Sequence, residues 1–177
     1  MFNENKGYKM KKYVYVGLVA YWLFLIIGTV NTYADEPISI SYRTAVMKYV
    51  TQNEGYENKV YADTKGNKTV GIGHKVNNTY SVNQYVNDET IMDWFVNDIN
   101  VAIKCAAKFH LSTNNNVNIV LTDMAFNLGC SGLNEFKLLK KHLINGNYVM
   151  AKKAIKYSNY YKQVTNRANR NIALINK

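Results

Sequence analysis

The chain has 177 residues, of which 47% are apolar, with a single proline at Pro37 and a formal net charge of +10. This length suits one compact domain with a short extension, and the apolar content excludes an intrinsically disordered chain. A basic protein commonly binds a polyanion, such as a nucleic acid, an anionic membrane or an anionic cell wall. Alternatively, its basic residues only form a solvated surface. The basic residues form no run suited to a nucleic-acid-binding arm, so we expect no nucleic-acid partner.

An uncharged segment of 18 residues, 13–30, is preceded by four lysines and followed by Asp35 and Glu36. This asymmetry predicts a cytoplasmic N-terminus and export of the following chain across the inner membrane. The segment's length lies between a signal-peptide core and a membrane span, so three outcomes stay open. It is cleaved after Thr32-Tyr33-Ala34, or retained in a form that can later leave the membrane, or kept as a permanent anchor.

The chain therefore divides into an N-terminal signal or anchor region, residues 1–34, and an exported domain, residues 35–177. Without the four lysines and one glutamate of the first region, 18 basic and 11 acidic residues remain, a net charge of +7. The exported domain is basic in its own right, and residues 13–30 bring it at least transiently to the inner membrane.

The first predicted element of this domain is an amphipathic helix that ends in a carboxylate. Its apolar positions follow the helical spacing i, i+3, i+4, i+7, i+8, namely Tyr42, Ala45, Val46, Tyr49 and Val50. The helix continues to Glu54, which lies on its inward edge, and Gly55 is a natural stop.

A small β-element is predicted next, at about residues 58–76. A cluster of Asp, Thr, Gly and Asn at 63–67 separates short apolar pieces, as in a hairpin. Gly71 and Gly73 indicate a bend or a close backbone approach.

The remainder is predicted to be helical, which makes the fold class α+β and mainly α. Asn87 is the expected N-cap of a long helix, a second helix is expected to stop at Gly129, and a third near Gly146. A fourth covers about 147–157. The last helix has its apolar stripe at Val164, Ala168, Ile172 and Ile175, with Arg167 on the same face.

The two cysteines, Cys105 and Cys130, lack the paired spacing of a zinc site. They form one disulfide in an oxidising compartment, or they are two ordinary buried thiols. No group of His, Cys and Asp supports a metal site or a nucleophilic triad, so neither a metal nor a cofactor is expected.

Glu54 and Asp63 are candidate partners for glycosidic cleavage, which needs one protonated and one ionised carboxyl group. Glu54 lies on an apolar helix face, which favours the protonated form, whereas hairpin amides around Asp63 favour the charged form. Across a tight hairpin the hydroxyl of Thr69 returns near Asp63, where the two side chains could hold a water. Taken singly, each residue is an ordinary helix-end, turn or strand residue.

The combination is more specific. Glu is followed by Asp nine residues on, Thr six further and then Gly-x-Gly-His, in the pattern Glu54-Gly55, Tyr61-x-Asp63-Thr64-x-Gly66-x-x-Thr69-Val70-Gly71-Ile72-Gly73-His74. This segment resembles the active-site signature of the phage-type lysozymes, glycoside hydrolase family 24. The resemblance covers essentially the whole domain after residue 40, and it continues in 124–129, 160–163 and 166–170. The middle of the domain, about 77–115, looks shorter than in larger members of that family.

The resemblance implies a lysozyme-like fold, with a small β-hairpin subdomain and a helical lobe flanking the active-site cleft. It implies that Glu54 is the general acid and that Asp63 and Thr69 position and activate water on the opposite face of the sugar, with inversion. It also implies that Arg167 is the partner of Glu54.

Substrate contacts implied by the resemblance are Phe126, Asn127 and Tyr160. Family members often have glutamine where Asn127 stands and tryptophan where Tyr160 stands. His74 is a structural histidine at the end of the hairpin or, as the alternative, a catalytic base. The implied partner is the glycan strand of peptidoglycan, and the enzyme is expected to be a monomer without a cofactor.

Three functions follow as hypotheses. The first is an endolysin that acts as an N-acetylmuramidase in bacteriophage lysis of a host wall. The second is a lytic transglycosylase, which forms an anhydro end without water. The third is a membrane-tethered peptidoglycan-binding module without catalytic activity.

Overall fold

The computed structural model describes residues 39–63 and 66–175. The predicted membrane segment, 13–30, lies outside these residues. Within the described part of the chain, no helix has both the length and the apolar character needed to cross a membrane. The elements in chain order are α1 (Ile40–Glu54), β1 (Glu57–Ala62), β2 (Lys68–Gly71), β3 (His74–Lys75), α2 (Asp88–Phe109), α3 (Asn115–Asn134), α4 (Lys137–Ile144), α5 (Tyr148–Lys156), α6 (Asn159–Gln163) and α7 (Thr165–Leu174).

The first helix has the bounds that its apolar spacing predicts. The hydroxyl of Ser39 accepts a hydrogen bond from the backbone N–H of Tyr42 and caps the first turn. Gly55 ends the helix with a positive φ of 75°. The buried side chains, Val46, Met47, Thr51 and Val50, face the protein interior, and three of them pack with Phe95 and Ile99 of α2.

Three antiparallel strands in the order β1-β2-β3 form the sheet. The prediction of a small β-element is confirmed, and the short third strand extends the predicted hairpin. In the β1–β2 pair, Tyr61 lies opposite Thr69. Gly71 has a φ of +67°, and a Cβ there would overlap the side chain of Ile91. The close backbone approach predicted from Gly71 is therefore confirmed, and it allows the sheet to pack directly against α2.

Helix α2 connects the two parts of the fold. Asn87 caps it, as predicted, by accepting a hydrogen bond from the N–H of Thr90 at 2.8 Å. Its 22 residues span about 33 Å at 1.5 Å per residue. Ile91 packs under the sheet, Phe95 packs on α1, and Phe109 lies in the cluster of the C-terminal helices.

The prediction that a helix stops at Gly129 is confirmed. Gly129 has φ +72° and ψ 171°, which interrupts the helical conformation of α3. A second, short helical segment then follows directly and reaches Asn134. Directly after Gly129, Cys130 forms a disulfide with Cys105 of α2, with the two Cα atoms 5.3 Å apart.

The C-terminal helices α4 to α7 pack around one apolar cluster with α3. Helices α4 and α5 agree with the predicted third and fourth helices. The five-residue helix α6, capped by the hydroxyl of Ser158, was not predicted, because one turn is too short to show an apolar period. The fold is α+β and mainly helical, as predicted.

Candidate active site

Glu54 is the last residue of α1, and its side chain is 20% exposed. The turn between β2 and β3 covers it. Gly73 has a φ of +76°, and a Cβ at this position would lie 3.1 Å from Oε2 of Glu54. A glycine is therefore needed here both for the backbone conformation and for the close approach to the carboxyl group.

The guanidinium of Arg167, on α7, forms an ion pair with Glu54 through Nη1 and Oε1. This is the pairing that the family resemblance implies. Burial lowers the pKa of Arg167, but hydrogen bonds to Asp123 and the charges of Asp123 and Glu54 outweigh burial and raise it. Arg167 is therefore a permanent cation beside the Glu54 carboxyl group.

A second carboxylate, Asp123 of α3, holds the other edge of Arg167. Nε donates to Oδ2 at 2.9 Å and Nη2 donates to Oδ1 at 2.7 Å, the bidentate geometry of a strong pair. Asp123 is fully buried. Asp123 was not predicted to belong to the site, although it is the only acidic residue between Asp98 and Glu135 and lies in an apolar helical run.

Asn171 extends this buried network. Its side-chain amide donates to Oδ2 of Asp123 at 2.9 Å and to the hydroxyl of Tyr160 at 3.0 Å, and its oxygen accepts from the hydroxyl of Tyr49 at 2.8 Å. Burial raises the pKa of both tyrosines, and the charge of Asp123 adds to this. The buried face of α7 thus consists of Arg167, Ala168 and Asn171, whereas the predicted stripe residue Ile172 is half-buried.

Asp63 lies in the hairpin between β1 and β2 and is held locally. The backbone N–H of Asn67 donates to Oδ1 at 2.8 Å, and the side-chain amide of the same residue donates to Oδ2 at 2.8 Å. These charge-assisted bonds fix the carboxylate at the mouth of the turn. The predicted stabilisation of Asp63 by hairpin amides is present in the structure.

Thr69 lies opposite Tyr61, so these two side chains point to the same face of the sheet. Asp63 follows β1 directly, and its N–H donates to the carbonyl of Asn67 at 2.8 Å, which continues the antiparallel pairing by one position. Thr69 is the diagonal neighbour of Asp63, and such neighbours have Cα atoms roughly 7–8 Å apart. Its hydroxyl donates to the carbonyl of Asn67 at 3.3 Å.

Tyr61, in β1, is affected by the charges of both candidate carboxyl groups. Burial raises the pKa of Tyr61 most, and the charges of Glu54, Asp63 and Glu57 raise it further. In the sequence, Tyr61 belongs to the motif on which the family resemblance rests.

The three predicted substrate contacts differ in exposure. Asn127 is exposed, and Phe126 is half-buried with its ring 6.0 Å from that of Phe95. Tyr160 is only 3% exposed and packs edge-on against Phe136. It lines a cavity of about 510 Å³ together with Leu128 of α3 and residues of α4 to α6. Its hydroxyl accepts a hydrogen bond from Asn171, within the buried network.

His74 lies at the end of the hairpin and is turned towards α2. Its Nδ1 is 2.7 Å from Oδ2 of Asp98, and its ring stacks on Trp94 at a centroid distance of 4.7 Å. These contacts tie the sheet to α2 and favour the structural interpretation over the catalytic base. Across residues 39–63 and 66–175, no three His, Cys, Asp or Glu side chains are grouped in a way that could hold a metal ion.

The mainly helical α+β fold, with a glutamate at the end of a helix and an aspartate in the hairpin that follows, is lysozyme-like. The family model for phage lysozyme matches residues 51–171, and the chain belongs to that family. It is therefore a lysozyme-like enzyme whose substrate is peptidoglycan. No individual curated protein matches the chain.

Proposed function

We propose that the enzyme is an N-acetylmuramidase, an endolysin that hydrolyses the β-1,4 bond between N-acetylmuramic acid and N-acetylglucosamine. The observation that supports this most strongly is the match of residues 51–171 to the phage lysozyme family, which includes Glu54 at the helix end and Asp63 in the hairpin. In this proposal one carboxyl group donates a proton and the other activates water.

In this mechanism Glu54 donates its proton to the glycosidic oxygen, and the bond between that oxygen and C1 of N-acetylmuramic acid breaks. A water attacks C1 from the opposite face, and its proton passes to Asp63. Glu54 must be protonated at the start, yet Arg167 favours its ionised form. Binding of the glycan strand would exclude water from the Glu54 carboxyl group, which favours the protonated acid.

Asp63 and Thr69 hold the attacking water between them. The diagonal placement across the hairpin leaves a gap that one water can bridge, donating to the hydroxyl oxygen of Thr69 and to the carboxylate of Asp63. Asn67 orients the carboxylate through both of its donors.

A water held opposite the acid predicts inversion at C1, as in glycosidases whose carboxyl groups are about 6.5–9.5 Å apart. Product analysis by NMR immediately after cleavage should show the α-anomer. A product with retained β configuration would exclude the inverting mechanism and require a covalent or transglycosylating path.

The lytic transglycosylase is the second candidate. It forms a 1,6-anhydro end, so its product lacks one water compared with the hydrolase product. The fixed carboxylate of Asp63 favours hydrolysis, because a transglycosylase needs no base for water. Mass spectrometry of the released fragments separates the two reactions.

Export is part of the proposal. The uncharged segment 13–30 carries the domain across the inner membrane, by cleavage, by later release or as an anchor, to the periplasm or the cell wall. The net charge of +7 on residues 35–177 suits an anionic wall. The enzyme then acts as a monomer in host-cell lysis.

The test compares the purified enzyme with Glu54→Gln in the clearing of permeabilised Gram-negative cell walls. General acid catalysis contributes ~10²–10⁴-fold, so clearing should be lost while the folded variant still binds walls. Glu57→Gln is the matched control, because Glu57 is an exposed carboxylate only three residues away and should leave clearing unchanged. If wild type binds walls without clearing them, the inactive binding module is the correct function. If Glu54→Gln clears as fast as wild type, the assignment of the acid is wrong.

A further inference from the structure

Asp123 is the most fully bonded carboxylate among those whose contacts are described above. Oδ1 accepts from Nη2 of Arg167 and from the amide of Asn53 at 2.8 Å, while Oδ2 accepts from Nε of Arg167 and from the amide of Asn171. Four donors satisfy the roughly four lone-pair positions of one carboxylate. Its backbone carbonyl also accepts from Nη2 at 3.2 Å. Asp123 and its partners are therefore held in one arrangement.

The guanidinium of Arg167 divides its donors between two carboxyl groups. The edge formed by Nε and Nη2 is bound by Asp123, and Nη1 is bound by Glu54. The fork is planar and rigid, so fixing one edge also fixes the direction of the remaining donor. Asp123, on α3, thus determines where a cation from α7 meets a carboxyl group at the end of α1.

We propose that Asp123 is a positioning residue that aims Arg167 at Glu54 and offsets its charge, so that Glu54 can hold the proton it donates. This inference rests on the proposed role of Glu54 as the acid. Arg167 alone would stabilise the ionised form of Glu54 and remove the acid. A buried negative charge on the far side of the same guanidinium weakens that effect.

Other charged groups lie around the Glu54 side of the site. On the hairpin side are Tyr61, Asp63 and Glu57, and the charges of Glu54 and of these two carboxylates all act on Tyr61. Arg170 of α7 is bound to the side-chain oxygen of Asn53 at 2.6 Å and does not have a described bond to Glu54. The turn that covers Glu54 contributes Gly73, which carries no charge. Arg167 is therefore the cation that Asp123 has to offset.

A purely structural role makes a different prediction. If Asp123 only satisfies a buried arginine, its removal lowers stability and total activity but leaves the pH dependence of the reaction unchanged. If it tunes Glu54, Asp123→Asn leaves the full charge of Arg167 acting on Glu54. The acid then loses its proton at a lower pH.

The experiment measures the release of reducing ends from peptidoglycan as a function of pH, at low substrate, where the rate reports the free enzyme. In Asp123→Asn the alkaline limb of the profile, where the rate falls as Glu54 loses its proton, should lie about one pH unit lower than in wild type. Thr122→Val is the matched control. Thr122 is equally buried on the same helix and bonds to Tyr42 outside this network, so its loss should reduce stability and leave the limb in place.

The double variant Asp123→Asn/Arg167→Gln keeps the proposal testable if the single variant does not fold. It removes both buried charges together and leaves amides that can bond to each other. Its alkaline limb should lie at or above the wild-type pH, because the cation is gone. The proposal is overturned if Asp123→Asn keeps the wild-type limb, or if the double variant has its limb below wild type. Failure of the proposed function would appear separately, as undiminished clearing by Glu54→Gln.

Discussion

The two sides of the candidate site are built differently. On the Glu54 side, the contacts join residues far apart in sequence, such as Arg167 with Glu54 and with Asp123, and the partners are buried. On the Asp63 side, the carboxylate is bound by Asn67, four residues away, at the half-exposed end of a hairpin. The acid is thus controlled by the packing of three helices, whereas the water-binding side is controlled by one turn.

This difference fits the chemistry proposed for each side. A general acid needs a low-dielectric environment in which a single charge has a large effect. A group that activates water needs access to solvent and a fixed orientation, which a turn with two amide donors provides. The comparison predicts that changes on the Glu54 side affect stability strongly, whereas changes on the Asp63 side affect mainly activity.

The largest expected effect comes from removing the buried cation. Arg167→Ala leaves Asp123 fully buried with a negative charge and only the two asparagine amides as partners. Breaking one side of a buried pair costs about 3–5 kcal/mol of unfolding free energy. Urea unfolding followed by circular dichroism measures it.

Arg170→Ala is the control for this prediction. Arg170 lies on the same helix, is exposed and bonds to Asn53, so its loss should cost less than about 1 kcal/mol. If the two variants lose the same stability, the buried network does not have the strength that its geometry indicates, and the contrast between the two sides disappears.

The local side of the site was predictable from the sequence. The hairpin, its glycines and the spacing of Asp63 and Thr69 all follow from contacts between residues close together in the chain. The end of α1 at Gly55 was equally predictable, because a helix stop is a property of a few neighbouring residues.

The Glu54 side was predictable only in part. The resemblance implied the pair of Arg167 with Glu54, but Asp123 and Asn171 were missed. Their roles depend on the rotation of α3 and α7 about their axes, which the apolar spacing defines only to about one residue. Asn171 is adjacent to Ile172 in the sequence. An error of one residue in the predicted buried face of α7 therefore selects the half-buried Ile172 in place of the buried Asn171. The helical segment that follows Gly129 and reaches Asn134 was missed as well, because its few residues are too short a run to show an apolar period.

A smaller effect is expected where the two sides meet, at Gly73. In Gly73→Ala a non-glycine residue must adopt a positive φ, which costs about 1–2 kcal/mol. The new methyl group also presses on the Glu54 carboxyl group, so the clearing rate should fall as well. Gly146→Ala has a similar φ of +64° with no atom within 4 Å of the added Cβ, and it should lose stability alone. Equal clearing rates for the two variants would show that the turn does not constrain Glu54.

The smallest effect on stability, but a clear one on activity, is expected from Asn67→Ala. The variant loses the side-chain bond to Oδ2 of Asp63 and retains the backbone bond to Oδ1. Because the turn is partly exposed, the cost in stability should be about 0.5–1.5 kcal/mol, as for an ordinary hydrogen bond. The carboxylate of Asp63, however, becomes free to rotate away from the water it is proposed to activate. The clearing rate should therefore fall roughly tenfold, which corresponds to an increase of about 1.4 kcal/mol in the activation barrier.

Asn78→Ala, at an exposed position beyond β3, should change neither the stability nor the clearing rate. If Asn67→Ala unfolds more easily than Arg167→Ala yet clears walls at the wild-type rate, the division of the site into a stabilising side and a reactive side is the wrong way round.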